Sequence, residues 1–375
     1  MFQMSHDSGV YRAQQGYRKV REYNWRRQAQ NLAMALNRAC IGGKKAIILQ
    51  QTIPGQFLGR RRMSLLVTDG DGIVEHLRKL NGGAEEHMTT IDSKMKYEKQ
   101  QVTIRGKTMS FVDTGEAGDS RDVIVFFHGN ITSSYMWRNI MPHVEDQARC
   151  IAVDNIGQGD SEKLSESGEN SYRLAQHQEY IDGFMSALGI ENNVTMMMHD
   201  WGVQLGLTWA RNHPEAMKAI AYTQGVMGNF QWSNWMPEVA ELMRKFRSGE
   251  GDDLVLKDNF FVEKILPAMV IRDLPKVVWD EYRRPYKNQR EDRRPTLAWP
   301  REIPVEGEPA DVLVVIDANN AWLALSELPK LFIHCEPETV LKGDILDHVR
   351  TFPNQLEVTV NGPRNNIGTI EAAPI

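Results

Sequence analysis

The sequence predicts an α/β protein built on a mostly parallel, twisted sheet with helices on both faces. From about residue 99 onward, short apolar runs such as 123–127 and 194–198 alternate with helical patterns such as 174–188. A continuous apolar run of this length is typical of a strand buried on both faces. Strands that alternate with helices favour a parallel sheet, whose ligands sit beyond the carboxyl ends of the strands.

Composition excludes several classes of function. The chain has 375 residues, 41% of them hydrophobic, and a formal net charge of −5, which argues against nucleic-acid binding as the main role. Its three cysteines, Cys40, Cys150 and Cys335, are too few and too scattered for a disulfide framework or a cysteine zinc site, so we expect a reducing, cytoplasmic setting and no metal. Because no apolar run approaches the roughly 18 residues of a membrane span, no membrane partner is expected.

The N-terminal part of the chain is basic. Between residues 10 and 66 there are twelve Lys or Arg residues and one acid, Glu22. Such an arginine-rich, acid-poor segment loosely resembles an organellar targeting peptide, but we favour a disordered or spurious N-terminal extension. We assign residues 1–95 to this extension.

Polar residues follow three of the predicted strands. They are His128-Gly129-Asn130, the run from Asp154 to Gly159, and His199-Asp200-Trp201-Gly202. A strand, a tight turn and a helix in succession hold one side chain beside the N–H groups of the helix N-terminus. Asp200 is therefore a candidate nucleophile, although the same position is also suited to a simple helix N-cap.

The alternation of strands and helices stops between residues 230 and 301. This insertion is helical and rich in aromatic residues, and it predicts a cap over the strand ends. Most of its aromatic side chains are expected to pack against each other, with Trp235, Phe260 and Phe261 as candidates for the lining of a pocket. The predicted domains are thus a first core part at 96–229, a cap at 230–301 and a second core part at 302–375.

Several motifs together resemble the haloalkane dehalogenase family of α/β-hydrolases, which includes the Renilla-type luciferases. They include HGNITSSYMWR at 128–138, the run 154–161, HDWG at 199–202 and RRPTLAWPREIP at 293–304, within a region from about 99 to 362. The resemblance implies an α/β-hydrolase fold with a helical cap, no cofactor, and a small apolar substrate such as a haloalkane or a coelenterazine-like compound.

The resemblance also implies roles for individual residues. Asp200 would attack an sp3 carbon, displace a halide and form an ester. The halide would be held by the indole N–H of Trp201 and the side-chain amide N–H of Asn130, since a leaving halide develops negative charge. The backbone N–H groups that follow Asn130 and Asp200 would hold the oxyanion when the ester is cleaved.

Two catalytic positions depart from the family pattern. The family histidine that activates water follows the last strand, and here that position is Arg364. The acid that orients the histidine corresponds to Gln224, which carries no charge. Glu336, after the next strand, is either the alternative acid of other branches or a surface loop residue. The tail at 365–375 is polar and short, so we expect the C-terminal helix to be missing.

Three functions follow from these observations. The first is a dehalogenase-like enzyme that forms the ester at Asp200, with turnover in question because Arg364 stands at the base position or because the sequence is truncated or misread after Pro363. The second is a Renilla-type coelenterazine luciferase, a cofactor-free oxygenase. The third is a catalytically degenerate protein that binds an apolar ligand or a protein partner.

Overall fold

The computed structural model describes residues 92–270, 274–336 and 340–361, together with the backbone of two strands at 46–50 and 62–67. Its strands are β1 (Ala46–Gln50), β2 (Arg62–Val67), β3 (Lys99–Ile104), β4 (Lys107–Asp113), β5 (Val123–Phe127), β6 (Arg149–Val153), β7 (Val194–His199), β8 (Met217–Thr223), β9 (Lys330–Glu336) and β10 (Gln355–Asn361). Its α-helices are α1 (Leu174–Ala187), α2 (Trp201–Asn212), α3 (Pro237–Phe246), α4 (Leu266–Met269), α5 (Lys276–Arg283), α6 (Arg294–Glu302), α7 (Ala310–Leu325) and α8 (Gly343–Val349).

Shorter helical segments complete the described elements. The 3₁₀ helices are Ser134–Asn139, Met141–His143, Pro214–Ala216, Trp232–Asn234, Arg284–Tyr286 and Arg290–Arg293, and the π-helical segments are Asp252–Lys257 and Phe261–Ile265. No helix among the described residues is long and apolar enough to cross a membrane.

The strands form one sheet in the order β1-β2-β10-β9-β8-β7-β5-β6-β4-β3. Neighbours from β2 through β10 to β6 run parallel, whereas the β1–β2, β3–β4 and β4–β6 pairs are antiparallel. The β3–β4 hairpin turns at Arg105 and Gly106, both with positive φ, as a tight two-residue hairpin requires. The predicted α/β class and the mostly parallel sheet are confirmed.

Both faces of the sheet are covered by apolar side chains. In β5, Val125 and Phe127 belong to one buried cluster and Ile124 and Phe126 to the other, which explains why this strand is apolar at every position. The first cluster takes in residues of α1, α2, α7 and α8, and the second takes in the 3₁₀ helix Ser134–Asn139. This two-sided burial holds the carboxyl ends of the central strands at a shared edge.

A third apolar cluster joins several helices between β8 and β9 to Ile131 and Tyr135, which follow β5. Its buried members include Phe246, Leu266, Tyr282 and Leu297, which lie on α3, α4, α5 and α6. The two ends of the insertion meet where the Phe230 N–H donates to the Pro304 carbonyl over 2.8 Å. The helical cap of the predicted fold is thereby confirmed, while the domain bounds at 229/230 and 301/302 stay predictions.

Two expectations concern parts of the chain that lie outside the described residues. They are the expected absence of a C-terminal helix after Asn361 and the basic extension at 1–95, apart from β1, β2 and residues 92–95. Within that extension, β2 pairs with β10 through Met63 and Val358 and adds β1 beyond it.

Candidate active site

The sheet order brings four of the predicted site residues to neighbouring strand ends. β5, β7, β8 and β9 lie side by side and run parallel. Asn130 comes three residues after β5, Asp200 and Gln224 directly follow β7 and β8, and Glu336 is the last residue of β9. The site therefore lies at the carboxyl edge of a parallel sheet, where ligands of such folds bind.

Asp200 sits on a sharp turn between β7 and α2. Its backbone has φ 54° and ψ −126°, outside the regions that most L-residues adopt. Gly202 makes the turn sterically feasible, because a Cβ atom at this position would lie 2.5 Å from the Phe127 carbonyl oxygen. Asp200 stands at the N-cap position of α2, although its side chain forms no capping hydrogen bond there.

Backbone N–H groups hold the Asp200 carboxylate. The Asn130 N–H donates to Asp200 Oδ1 over 2.6 Å, and the Trp201 N–H also bonds the carboxylate. Burial raises the pKa of Asp200 from 3.8 to about 6, and the two N–H donors oppose that rise. Asp200 is therefore mostly an anion at neutral pH, in surroundings that solvate it less well than water does.

The two successive N–H groups of the loop after β5 have different acceptors. The Ile131 N–H, expected as an oxyanion donor, donates to the Asn130 side-chain oxygen over 2.8 Å. The N–H of this loop that contacts Asp200 is that of Asn130, so the assignment of the oxyanion donors stays a prediction. Ile131 has φ 55°, and this turn leaves the two successive N–H groups with different acceptors.

The two residues that carry the predicted halide donors adjoin Asp200, Asn130 through its backbone N–H and Trp201 as the next residue in the chain. One N–H of the Asn130 side-chain amide donates to the Thr296 carbonyl over 3.2 Å, which leaves the second N–H of the same amide for a ligand. Trp201 is buried, with 1% of its surface exposed. The roles of the Asn130 amide and the Trp201 indole as halide donors stay predictions.

Two residues around this site were not assigned a role from the sequence. Trp299, on α6, stacks on Trp201 with ring centroids 4.9 Å apart and an interplanar angle of 21°. Its indole N–H donates to Gln158 Oε1 over 3.1 Å, and the Gln158 amide donates to the Gly129 carbonyl over 3.2 Å. The only sequence signal for these two residues is that Gln158 lies in the GQG motif and Trp299 in the TLAWP motif, both within the runs that resemble the family.

The structure does not show an acid and a base at the two positions where the family pattern places them, within the residues that it describes. Gln224 is buried at φ 49°, and its side-chain oxygen accepts the Val340 N–H over 3.3 Å. The Glu336 side chain is 54% exposed and lies 3.6 Å from Nε2 of His334. The predicted base position, Arg364, lies outside the described residues. The roles predicted for Glu336 and Arg364 therefore stay predictions.

The buried histidines nearest the strand ends are held neutral. Burial lowers the pKa of His128 to about 4 and the pKa values of His177 and His199 to about 3. His128 has a structural partner, since its Nε2 accepts the Asn155 N–H over 2.9 Å. Among the described residues, no histidine forms a hydrogen bond with Asp200.

The candidate pocket aromatics lie in the cap. Phe260 and Phe261 contact Phe246 with ring centroids 5.9 Å and 4.7 Å apart, and Trp235 stacks on Phe230 at 5.4 Å. Their role in lining a pocket stays a prediction. Among the described residues, no group of three or more His, Cys, Asp and Glu side chains is arranged to hold a metal ion.

Comparisons with known proteins agree with this architecture. A family model of the alpha/beta hydrolase fold matches residues 122–269. A haloalkane dehalogenase of Sphingobium indicum is 45% identical over 265 residues, which cover 71% of this chain and 88% of that protein. Coelenterazine h 2-monooxygenase of Renilla reniformis is 36% identical over 266 residues, which cover 70% of this chain and 83% of that protein.

Comparison with solved structures also matches this chain to haloalkane dehalogenases. The crystal structure of a haloalkane dehalogenase from Bradyrhizobium elkani superposes with a TM-score of 0.66 at 34% sequence identity, covering 71% of this chain and 90% of that one. With 45% identity over 88% of that Sphingobium indicum relative, the chain belongs to the haloalkane dehalogenase family of the α/β-hydrolase fold.

Proposed function

We propose that this protein attacks carbon–halogen bonds, with Asp200 as the nucleophile and a small apolar haloalkane as the substrate. The observation that carries the proposal is the hydrogen bond from the Asn130 backbone N–H to Asp200 Oδ1 at 2.6 Å. It holds Asn130, which carries the predicted amide donor, against Asp200, and Trp201, which carries the predicted indole donor, is the next residue after Asp200 and begins α2. The relatives named haloalkane dehalogenase support the choice of substrate class.

The first step is a displacement at carbon. Because the Asn130 N–H bonds Oδ1, we expect the other oxygen of Asp200, Oδ2, to be the attacking atom. A C–O bond forms as the carbon–halogen bond breaks, and the halide leaves with the bonding electron pair. The N–H groups of Trp201 and Asn130 stabilise the charge that develops on the halide. The products are an alkyl ester of Asp200 and a free halide ion.

The second step, hydrolysis of this ester, needs a base that activates water. No histidine in the described part of the chain bonds Asp200, and the position that the family uses for its base is Arg364. We therefore expect the ester to accumulate after one turnover. The cationic Arg364 side chain cannot accept a proton from water at neutral pH.

Intact-mass spectrometry after incubation with 1-bromobutane tests both steps. We expect one adduct with the mass of a butyl group less one hydrogen, on the peptide that contains Asp200, and one equivalent of bromide released. Asp200→Asn is the negative control, because its amide is a poor nucleophile. Absence of the adduct together with absence of bromide release would overturn the proposal, whereas many equivalents of bromide would overturn only the expectation of a stable ester.

A second candidate is a luciferase reaction, which the Renilla reniformis relative favours. That protein is named for its action on coelenterazine h, and the same Asp200 site would have to accept this larger substrate. Oxygen-dependent light emission from coelenterazine, lost in Asp200→Ala, is the result that would support it. For localisation, we propose the cytoplasm on the basis of cysteine usage, with organellar import through the basic extension as the alternative.

A further inference from the structure

The cap helix α6 contacts both of the predicted halide donors. The Thr296 carbonyl accepts one N–H of the Asn130 amide over 3.2 Å. One turn along the same helix, the Trp299 ring stacks on Trp201 with centroids 4.9 Å apart. The orientation of both donors therefore depends on where α6 lies relative to the ends of β5 and β7.

Trp299 is itself held on two sides. Its second face stacks on His177, with ring centroids 4.3 Å apart and an interplanar angle of 18°. At its edge, the indole N–H donates to Gln158 Oε1 over 3.1 Å.

Gln158 connects the two halves of the site. It is fully buried between Gly157 and Gly159 after β6. Its oxygen accepts from Trp299, and its amide donates to the Gly129 carbonyl over 3.2 Å. Gly129 immediately precedes Asn130 and lies so close to Asp200 that an added Cβ would be 2.0 Å from Oδ1.

We propose that Gln158 and Trp299 are positioning residues of the halide site, with Gln158 setting the Trp201 indole through Trp299 and the Asn130 loop through the Gly129 carbonyl. This inference rests on the proposed function, because it assigns partners to the same halide donors. A side-chain amide suits the role because it has an acceptor and a donor at opposite corners, one for each half of the site. Pre-oriented donors bind an anion more tightly than donors that must first be ordered.

Bromide binding measured by quenching of Trp201 fluorescence tests the inference without requiring turnover. The signal of Trp201 is obtained by subtracting the response of the Trp201→Phe variant. We expect Trp299→Phe, which keeps an aromatic ring but removes the N–H, to raise the bromide Kd about fivefold. Gln158→Leu should raise it about tenfold or more, since both connections are lost.

The double variant separates positioning from unrelated damage. If Trp299 acts together with Gln158, the double variant should bind bromide as weakly as Gln158→Leu alone, within about twofold, and not show the product of the two effects. Trp209→Phe is the matched control, because Trp209 also stacks on a histidine, His213, at 4.3 Å but lies elsewhere on α2. This control should keep the bromide Kd of the unaltered protein.

Each outcome decides a different point. If the unaltered protein does not bind bromide, the proposed function fails and this inference fails with it. If it binds bromide and Trp299→Phe has the same Kd as Trp209→Phe, the inference alone is overturned. The Trp299→Phe result stands on its own should Gln158→Leu lose its fold, as judged by near-ultraviolet circular dichroism.

Discussion

The backbone N–H of Asn130 donates to Oδ1 of Asp200 over 2.6 Å, although 70 residues separate them in the chain. This bond distinguishes the two carboxylate oxygens, since Oδ1 accepts the Asn130 N–H. In an ester formed through Oδ2, Oδ1 would be the carbonyl oxygen. The Asn130 N–H would then be in position to stabilise the oxyanion during hydrolysis.

The raised pKa of Asp200 predicts how ester formation depends on pH. Only the ionised carboxylate attacks, so with a pKa of about 6 the alkylation rate should fall roughly tenfold between pH 7 and pH 5. It should level off above pH 7. The measurement is the rate of adduct formation with 1-bromobutane at constant ionic strength. A rate that is unchanged down to pH 5 would show that the pKa of this carboxyl is not raised.

The same pKa shift predicts a stability effect with a definite sign. A carboxyl whose pKa is higher in the folded state favours folding when protonated, and this contribution is lost as pH rises through about 6. Asp200→Asn should therefore be more stable than the unaltered protein at pH 8, by roughly 1–3 kcal/mol. Urea unfolding at pH 8 and at pH 4 measures it, and the difference should nearly vanish at pH 4. Equal stabilities at pH 8 would contradict the prediction.

The close approach of Gly129 to Asp200 predicts the effect of one added methyl group. A Cβ atom at residue 129 would lie 2.0 Å from Asp200 Oδ1, so Gly129→Ala must displace the carboxylate from the Asn130 N–H. We expect ester formation to fall about 100-fold, because correct placement of the reacting atom is lost. Gly168→Ala is the control, as a Cβ there meets no atom within 4 Å. Similar rates for the two variants would refute the assigned geometry.

Glu302 joins the cap helix α6 to α1, which carries His177. Its buried carboxylate accepts from the Arg173 guanidinium over 2.8 Å and from the Leu174 N–H over 2.9 Å. Glu302→Ala leaves this N–H unpaired and should lower the free energy of unfolding by about 3 kcal/mol. The control Glu241→Ala removes only an exposed pair with Lys245 and should change it by less than about 0.5 kcal/mol. Chemical denaturation of both variants makes the comparison.

Much of the fold could be predicted from sequence because its local signals are strong. The run 123–127 is apolar at every position, and this distinguishes a strand buried on both faces from an exposed one. Likewise, the turn from β7 into α2 needs a glycine close to a neighbouring backbone, and Gly202 marks it. Asp200 was identified for this reason, whereas the roles of Asn130 and Trp201 were implied by the resemblance to the haloalkane dehalogenase family.

The sequence by itself thus determined the α/β class, the cap and the aspartate at the strand end, since each of these depends on residues that are close in the chain. Only the tertiary structure decided which N–H groups contact that aspartate. The turn at Asn130 and Ile131 directs the first N–H to Asp200 and the second to the Asn130 side chain, and residue spacing does not specify this conformation. The tertiary structure also decided that Gln158 and Trp299 meet, 141 residues apart, through a hydrogen bond between the loop that follows β6 and the cap helix α6. Contacts of this kind arise from the packing of distant elements, which no local pattern encodes.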